Sequence, residues 1–269
     1  MFKIRPLTAN ELPLLWNFAP PDWNTDLAKI FSFHFGQPSF YSIGAELDGK
    51  LVGCANGLLQ DRVGWLGNII VLPEARRSGI GQALTEHLIQ YFQMRGCRAQ
   101  LLIATSMGEG LYKKLDFRIC SYYISLRSEQ TPQPSLSRRI RPLVPADVEA
   151  VLELDQQVCS EERAPFLRRF LQGAFVYEDT SSTIDGYLLP ALGNGLIIAR
   201  GKRAGLALLK FKLAYGSPLM VVPEENRAAL DLLQQAGYFE TKRMPRMCLG
   251  EQVDWKPELV FSRGTGFCG

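Results

Sequence analysis

Ile69-Ile70-Val71-Leu72-Pro73-Glu74-Ala75-Arg76-Arg77-Ser78-Gly79-Ile80-Gly81-Gln82-Ala83-Leu84 is the stretch from which the fold is read. An apolar strand ends at Pro73. A basic turn with two glycines follows and opens an amphipathic helix. Ile80, Leu84, Leu88 and Tyr91 repeat on one face of that helix, and Gly96 supplies its stop. The start of a helix exposes unpaired N–H groups and the positive end of the dipole. Gly79 and Gly81 leave the backbone bare there, and Arg76 and Arg77 add positive charge. The physics points to a cradle for a polyphosphate.

Two familiar phosphate loops are excluded. No Lys-Ser or Lys-Thr follows the glycines, as a Walker loop requires. A dinucleotide fingerprint needs a third small residue where Leu84 stands, and its first glycine sits closer to the strand.

The segment resembles the acyl-CoA-binding motif of the GCN5-related N-acetyltransferase superfamily, Q/R-x-x-G-x-G/A, here Arg76-x-x-Gly79-x-Gly81. A second signature agrees. Tyr112-Lys113-Lys114-Leu115-Asp116-Phe117 resembles the family's late Y-x-x-L-G-F helix, with Asp116 in place of glycine. The resemblance covers roughly residues 1 to 128 and implies site roles. The backbone of Ile69, Ile70 and Val71 would pair with the pantetheine arm of acetyl-CoA as an added strand. The amides of Arg76, Arg77, Ser78, Gly79, Ile80, Gly81 and Gln82 would hold its pyrophosphate. Tyr112 would protonate the departing thiolate as general acid. No metal is implied.

A base is not evident. Many family members place a carboxylate on the strand before the phosphate turn, but here that stretch is Trp65-Leu66-Gly67-Asn68. Glu46, on an earlier strand, or a water chain are the substitutes. An aromatic-rich segment, including Trp16, Phe18, Trp23, Phe31, Phe33, Phe35, Phe40 and Tyr41, offers an apolar acceptor pocket or ordinary core. His34 within it reads as a surface or edge histidine.

Outward from this centre, the chain repeats its opening. Ile4-Arg5-Pro6-Leu7 returns as Ile140-Arg141-Pro142-Leu143, each before a polar step and a helix. Residues 129–137, polar and proline-containing, read as a linker. The expected organisation is an N-terminal catalytic domain over 1–128 and a C-terminal copy over 138–269. The expected fold class is α/β (α+β): two tandem acetyltransferase folds, each a mixed, mostly antiparallel sheet flanked by helices. In the first half strands are expected at 3–7, 40–47, 51–60, 64–71, 100–104 and 118–126, with helices at 11–18, 25–35, 80–95 and 108–115. Asp48-Gly49 marks a hairpin.

The second copy is altered at the chemistry. Its turn aligns as Arg200-x-x-Arg203-x-Gly205, with Arg203 where the first motif glycine belongs. Leu233 stands where Tyr112 stands, ahead of Ala236-Gly237-Tyr238. This half, with its closing Arg246-Met247, resembles the C-terminal domain of bacterial tandem acetyltransferases and reads as a degenerate copy.

Composition sets the remaining bounds. The 269 residues, 46% hydrophobic and 21% charged, are ordinary for globular domains. A net charge of +3, spread in short basic groups, gives no nucleic-acid stripe. Six cysteines without a CxxC pair and only two histidines argue against zinc and for free thiols. No apolar run reaches the length of a membrane span, and no secretion signal is visible, so a cytoplasmic location is expected. The leading expectation is an N-acetyltransferase moving acetyl directly from acetyl-CoA to an amine. A non-catalytic acyl-CoA-binding or sensing module is the alternative, and a structural protein using neither site the third.

Overall fold

The computed structural model describes residues 1–23, 25–129 and 137–269. The expected linker therefore lies almost wholly outside the described residues.

The first half runs β1 (Phe2–Pro6), a 3-10 helix (Ala9–Asn17), α1 (Leu27–His34), β2 (Phe40–Leu47), β3 (Lys50–Gln60), β4 (Val63–Val71), α2 (Ile80–Met94), β5 (Ala99–Ile103), α3 (Glu109–Lys114) and β6 (Arg118–Arg127). The helix expected at 11–18 is 3-10 rather than α because Pro13 lies inside it and offers no N–H to the preceding turn. Asp48 and Gly49 both take positive φ, 50° and 75°, as a tight β2–β3 hairpin of type I′ requires. The second half runs β7 (Ile140–Pro142), α4 (Val148–Cys159), α5 (Ala164–Leu167), β8 (Phe175–Glu178), β9 (Ile184–Leu189), β10 (Leu196–Ala199), α6 (Lys202–Leu213), β11 (Leu219–Pro223), α7 (Arg227–Gln235), β12 (Phe239–Gly250) and β13 (Val260–Ser262).

The repeated tetrapeptide has a structural purpose. Arg5 binds Glu11 at 2.7 Å and Glu46 at 2.7 Å. Arg141, its counterpart, binds Asp147 at 2.7 Å and Glu178 at 2.6 Å. Each arginine joins the first strand, the helix start and the next strand of its half. Glu11 also accepts from the Thr8 amide at 2.9 Å. The Arg5 guanidinium, by hydrogen bonding, holds the Glu11 carboxyl down to about 2. Glu46 is thus held by Arg5 on β2, which makes it a poor candidate for the base.

The second half contributes strands to the first half's sheet. One has the order β1-β2-β3-β4-β5-β12-β6-β11, the other β13-β10-β9-β8-β7. β12, from the second half, lies between β5 and β6 of the first. β6, in turn, lies between β12 and β11. One face of the first half's sheet is packed by α2 and α3, through Leu66, Ile80, Leu84, Leu88 and Tyr112. The opposite face carries Trp65, Leu101 and Leu58 against α1, the first 3-10 helix and the α4–α5 region of the second half. Trp65 and Leu66 face opposite ways, as neighbours on a strand must.

His34 corrects an expectation, because it lies in this second interface and is only 4% exposed. Its ring stacks on Phe40 and Phe166 at centroid distances of 4.9 and 5.5 Å. Its Nδ1 lies 3.1 Å from Arg169 Nη1 and accepts from it. Burial first, and the Arg169 cation second, lower its pKa from 6.5 to about 4. Between those values the unfolded chain takes a proton that the folded chain refuses. This contribution to stability is therefore complete above pH 6.5 and is lost as pH falls towards 4, by up to about 3 kcal/mol. Urea unfolding at pH 7 and pH 4.5 should show the wild type losing more stability on acidification than His34→Phe. Equal losses would contradict this.

Candidate active site

β4 and β5 are parallel and pair only at Val63–Ala99, Gly64–Gln100 and Trp65–Leu101. Beyond Trp65 they part. β4 also bulges there: Asn68 takes φ 49°, and the register with β3 shifts between the Cys54–Ile70 and Asn56–Gly67 pairs. The backbone of Ile69, Ile70 and Val71 therefore borders an opening on the β5 side. These three expected site residues lie on the β4 edge that an added strand would use.

The turn after β4 positions the rest. Pro73–Ala75 makes one 3-10 turn. Arg77 and Gly79 take φ 61° and 85°, and Gly79 caps α2. The amide of Ala83 bonds the Gly79 carbonyl at 3.0 Å, so the amides of residues 79–82 precede the helical ladder. Side chains here have other partners. Arg76 Nε donates to the Val71 carbonyl at 3.0 Å, Ser78 Oγ to the Ala75 carbonyl at 2.6 Å, and Gln82 Nε2 to Glu86 at 2.8 Å. Residues 76–82 offer an anion their backbone and the exposed guanidinium groups of Arg76 and Arg77.

The two glycines differ. Gly79 is required by its positive φ. A Cβ on Gly81 would meet nothing closer than Val71 Cγ2 at 3.8 Å. The fold does not need a glycine there, so the bare backbone leaves room for something outside the fold.

Tyr112, on α3, packs beside Phe117 on the α2 side of the sheet. Gly108 admits its ring, since a Cβ there would lie 2.8 Å from Tyr112 Cε2. Burial pushes the phenol up to about 12, so it stays protonated at neutral pH and is able to donate. After α3, Asp116 takes the left-handed conformation (φ 65°) in the family's glycine position, and the Phe117 amide bonds the Tyr112 carbonyl at 3.0 Å. In the second half Gly237 has φ 80° and the Tyr238 amide bonds the Leu233 carbonyl at 2.9 Å. Leu233 is thus the structural counterpart of Tyr112.

The second half's own split is closed. β13 pairs antiparallel with β10, Ile197 opposite Ser262, and the Arg263 amide bonds Val221 of β11 at 2.8 Å. A strand of this chain thus lies where β4 and β5 leave an opening. α6 starts at Lys202, so Arg203 is wound into the helix. A Cβ on Gly205 would lie 2.1 Å from Phe261 Cε2, so this glycine serves Phe261 of β13. Lys212, buried, donates to the Asn194 and Gly195 carbonyls and to Ser262 Oγ, anchoring the strand. Burial lowers its pKa to about 7.

A split parallel pair, a bulged strand and a glycine-opened helix start thus come together in the first half. The comparisons agree at the level of family. Residues 10–117 match the model for the acetyltransferase (GNAT) family, and residues 151–262 match a second acetyltransferase (GNAT) domain model. The chain belongs to the GNAT family and carries two such domains in tandem. Among solved structures, a Pyrococcus horikoshii protein classed provisionally as an acetyltransferase is similar at TM-score 0.84 and 21% identity, over 100% of this chain and 96% of that one. A GCN5-related N-acetyltransferase from Sphaerobacter thermophilus gives 0.63 and 18%, over 99% and 98%. A tandem GNAT protein from the clavulanic acid biosynthesis pathway gives 0.59 and 14%, over 93% and 98%. At these identities the likeness is one of fold. No curated protein matches the sequence significantly. Among the described residues no helix is long and apolar enough to cross a membrane.

Two buried groups meet here, Glu161, which the sequence does not single out, and Arg246, which enters there only in the closing Arg246-Met247. Glu161 accepts from Trp65 Nε1 at 2.6 Å across the two halves. Arg246 stacks on Trp255 at 4.2 Å and lies 5.3 Å from the Trp65 ring. Ser160-Glu161-Glu162-Arg163 carries no local motif, and its long-range partners set it apart.

Proposed function

We propose that residues 1–128 bind acetyl-CoA and transfer its acetyl group directly to an amine, and that residues 138–269 form a degenerate copy that binds no acyl-CoA. The observation that carries this is the contrast between Gly81 and Gly205. The same motif position is open in the first half and filled by Phe261 in the second. Pantetheine would add to the free edge of β4 at Ile69–Val71, and the pyrophosphate would meet the amides of residues 76–82. The amine attacks the thioester carbon, the C–N bond forms and the C–S bond breaks. Tyr112 supplies the proton that the thiolate takes up.

Tyr112→Phe tests the reading. Turnover of acetyl-CoA against a panel of amines is expected to fall by about 10²–10⁴-fold, with acetyl-CoA affinity unchanged by calorimetry. Binding without turnover of any amine by the wild type would instead favour the sensing module.

A further inference from the structure

An ammonium must lose a proton before it attacks a thioester, and β4 carries no carboxylate to take it. The second half delivers one. Glu161 lies between α4 and α5, is 3% exposed, and meets Trp65, the last β4 residue paired to β5. Glu161 therefore stands where the strands part, on the face opposite Tyr112. Proton donor and carboxylate flank the split from its two sides.

Beside it is a cation, ion-paired with Glu161, whose hydrogen bonds are not all made. Arg246, on β12 opposite Ile103 of β5, is 3% exposed. Its Nε and Nη2 are buried without a hydrogen-bond partner among the described residues. Nη2 is 3.8 Å from Glu161 Oε1, too far for a hydrogen bond. Among the described residues Nη1 donates to Cys120 Sγ alone, at 3.3 Å, and Cys120 is exposed, so the guanidinium lies just below the surface. Buried N–H groups on a cation are costly to leave unmade. The Nε–Nη2 edge is the one with which arginine grips a carboxylate through two bonds.

We infer that Glu161 and Arg246 form the acceptor subsite, and that the acceptor is an amine carrying a carboxylate, of the amino-acid class. This rests on the acetyl-transfer reading. The ammonium gives one proton to Glu161 and attacks the carbonyl carbon. As the C–S bond breaks, the second nitrogen proton leaves to solvent, and the thiolate takes the proton of Tyr112. Both side chains then recover their starting states by exchange with water, with one net proton released. The segment 265–269 roofs the subsite: Phe267 packs on Gly67, where a Cβ would lie 2.3 Å from Phe267 Cβ, and Arg163 donates to the Cys268 carbonyl at 2.7 Å.

The charged and titratable groups around Glu161 are Arg163, Arg246, Asp155, Cys159 and Cys268. Burial outweighs the two arginines and raises its pKa. The acidic limb of kcat/KM against pH should therefore report this carboxylate, activity falling as it takes up a proton.

The test uses the full chain, acetyl-CoA, free L-amino acids and their carboxamides, with thiol release as readout. Amino acids should react faster than their amides by roughly tenfold to a hundredfold, the worth of a charged hydrogen bond, and Arg246→Gln should erase the preference. Glu161→Gln keeps an acceptor for Trp65. It should lower kcat/KM about a hundredfold and remove the acidic limb, with acetyl-CoA affinity intact. Equal rates for acids and amides in the wild type would overturn the proposal even if the Arg246 variant did not fold. So would an acidic limb that survives Glu161→Gln. If acetyl-CoA binds but no amine reacts, acetyl transfer itself fails and the subsite with it. If amines react without these preferences, only the subsite fails.

Discussion

Calorimetric titration of the intact chain with acetyl-CoA is expected to give one site per chain, abolished by Gly81→Leu and untouched by Arg203→Ala. The expectation follows from what each glycine faces. A Cβ at Gly81 would meet Val71 Cγ2 and Leu111 Cδ2 at 3.8 and 3.9 Å, ordinary contact distances, so the fold does not exclude a side chain there. Replacing a helical glycine with a better helix former removes a penalty of up to about 1 kcal/mol, so thermal stability should hold or rise. The same side chain occupies the space through which a phosphate would reach the amides of residues 79–82. Losing two charge-assisted hydrogen bonds costs about 3–6 kcal/mol, on the order of a hundredfold to ten-thousandfold in affinity. A variant that is at least as stable yet does not bind separates a ligand cradle from a mere capping turn. In the second half Phe261 fills the equivalent space and β13 closes the split, so Arg203→Ala opens nothing. Two sites per chain, or loss of binding on Arg203→Ala, would show that the active copy is misassigned.

The elements and the glycine turn were legible because their signals are local. The expected strand 40–47 is β2, the expected strand 100–104 is β5 at Ala99–Ile103, and α2 begins at Ile80 with its cap at Gly79. Periodicity, a hairpin dipeptide and a glycine-bearing turn are all written within a few neighbouring residues. The pairing of β6 with β12 was not legible. Both strands read as ordinary, and pairing partners more than a hundred residues away leave no local mark. For the same reason β13 was missed: three residues carry no period, and their meaning lies in the split they fill. His34 was misread because polarity suggested the surface, whereas its aromatic neighbours come from α5, β2 and the segment near Phe267. Glu161 and Arg246 share that difficulty, since each gains significance only across the interface.

Asp155→Ala is expected to give the largest loss of stability, about 3–5 kcal/mol, because it leaves Arg163 as an uncompensated buried charge. Both side chains are 2% exposed. Arg163 donates through Nε and Nη2 to the two Asp155 oxygens at 3.0 and 2.8 Å, and Tyr187 OH donates to the same carboxylate. Its remaining arm holds the Cys268 carbonyl. The pair itself is no proof of net stabilisation, since two charges taken from water lose most of what their attraction returns. Asp155→Leu with Arg163→Met should therefore recover most of the loss, and the double-mutant cycle should give a coupling of several kcal/mol. The form of the transition is equally informative. Asp155 belongs to α4 of the second half, but β12 of that half completes the first half's sheet. The two halves cannot lose these strands separately. Scanning calorimetry should accordingly show a single transition for the wild type, shifted down as one for Asp155→Ala by on the order of 10 °C. A split into two transitions, with the first half melting where the wild type does, would mean that the contributed strands do not bind the halves into one cooperative unit.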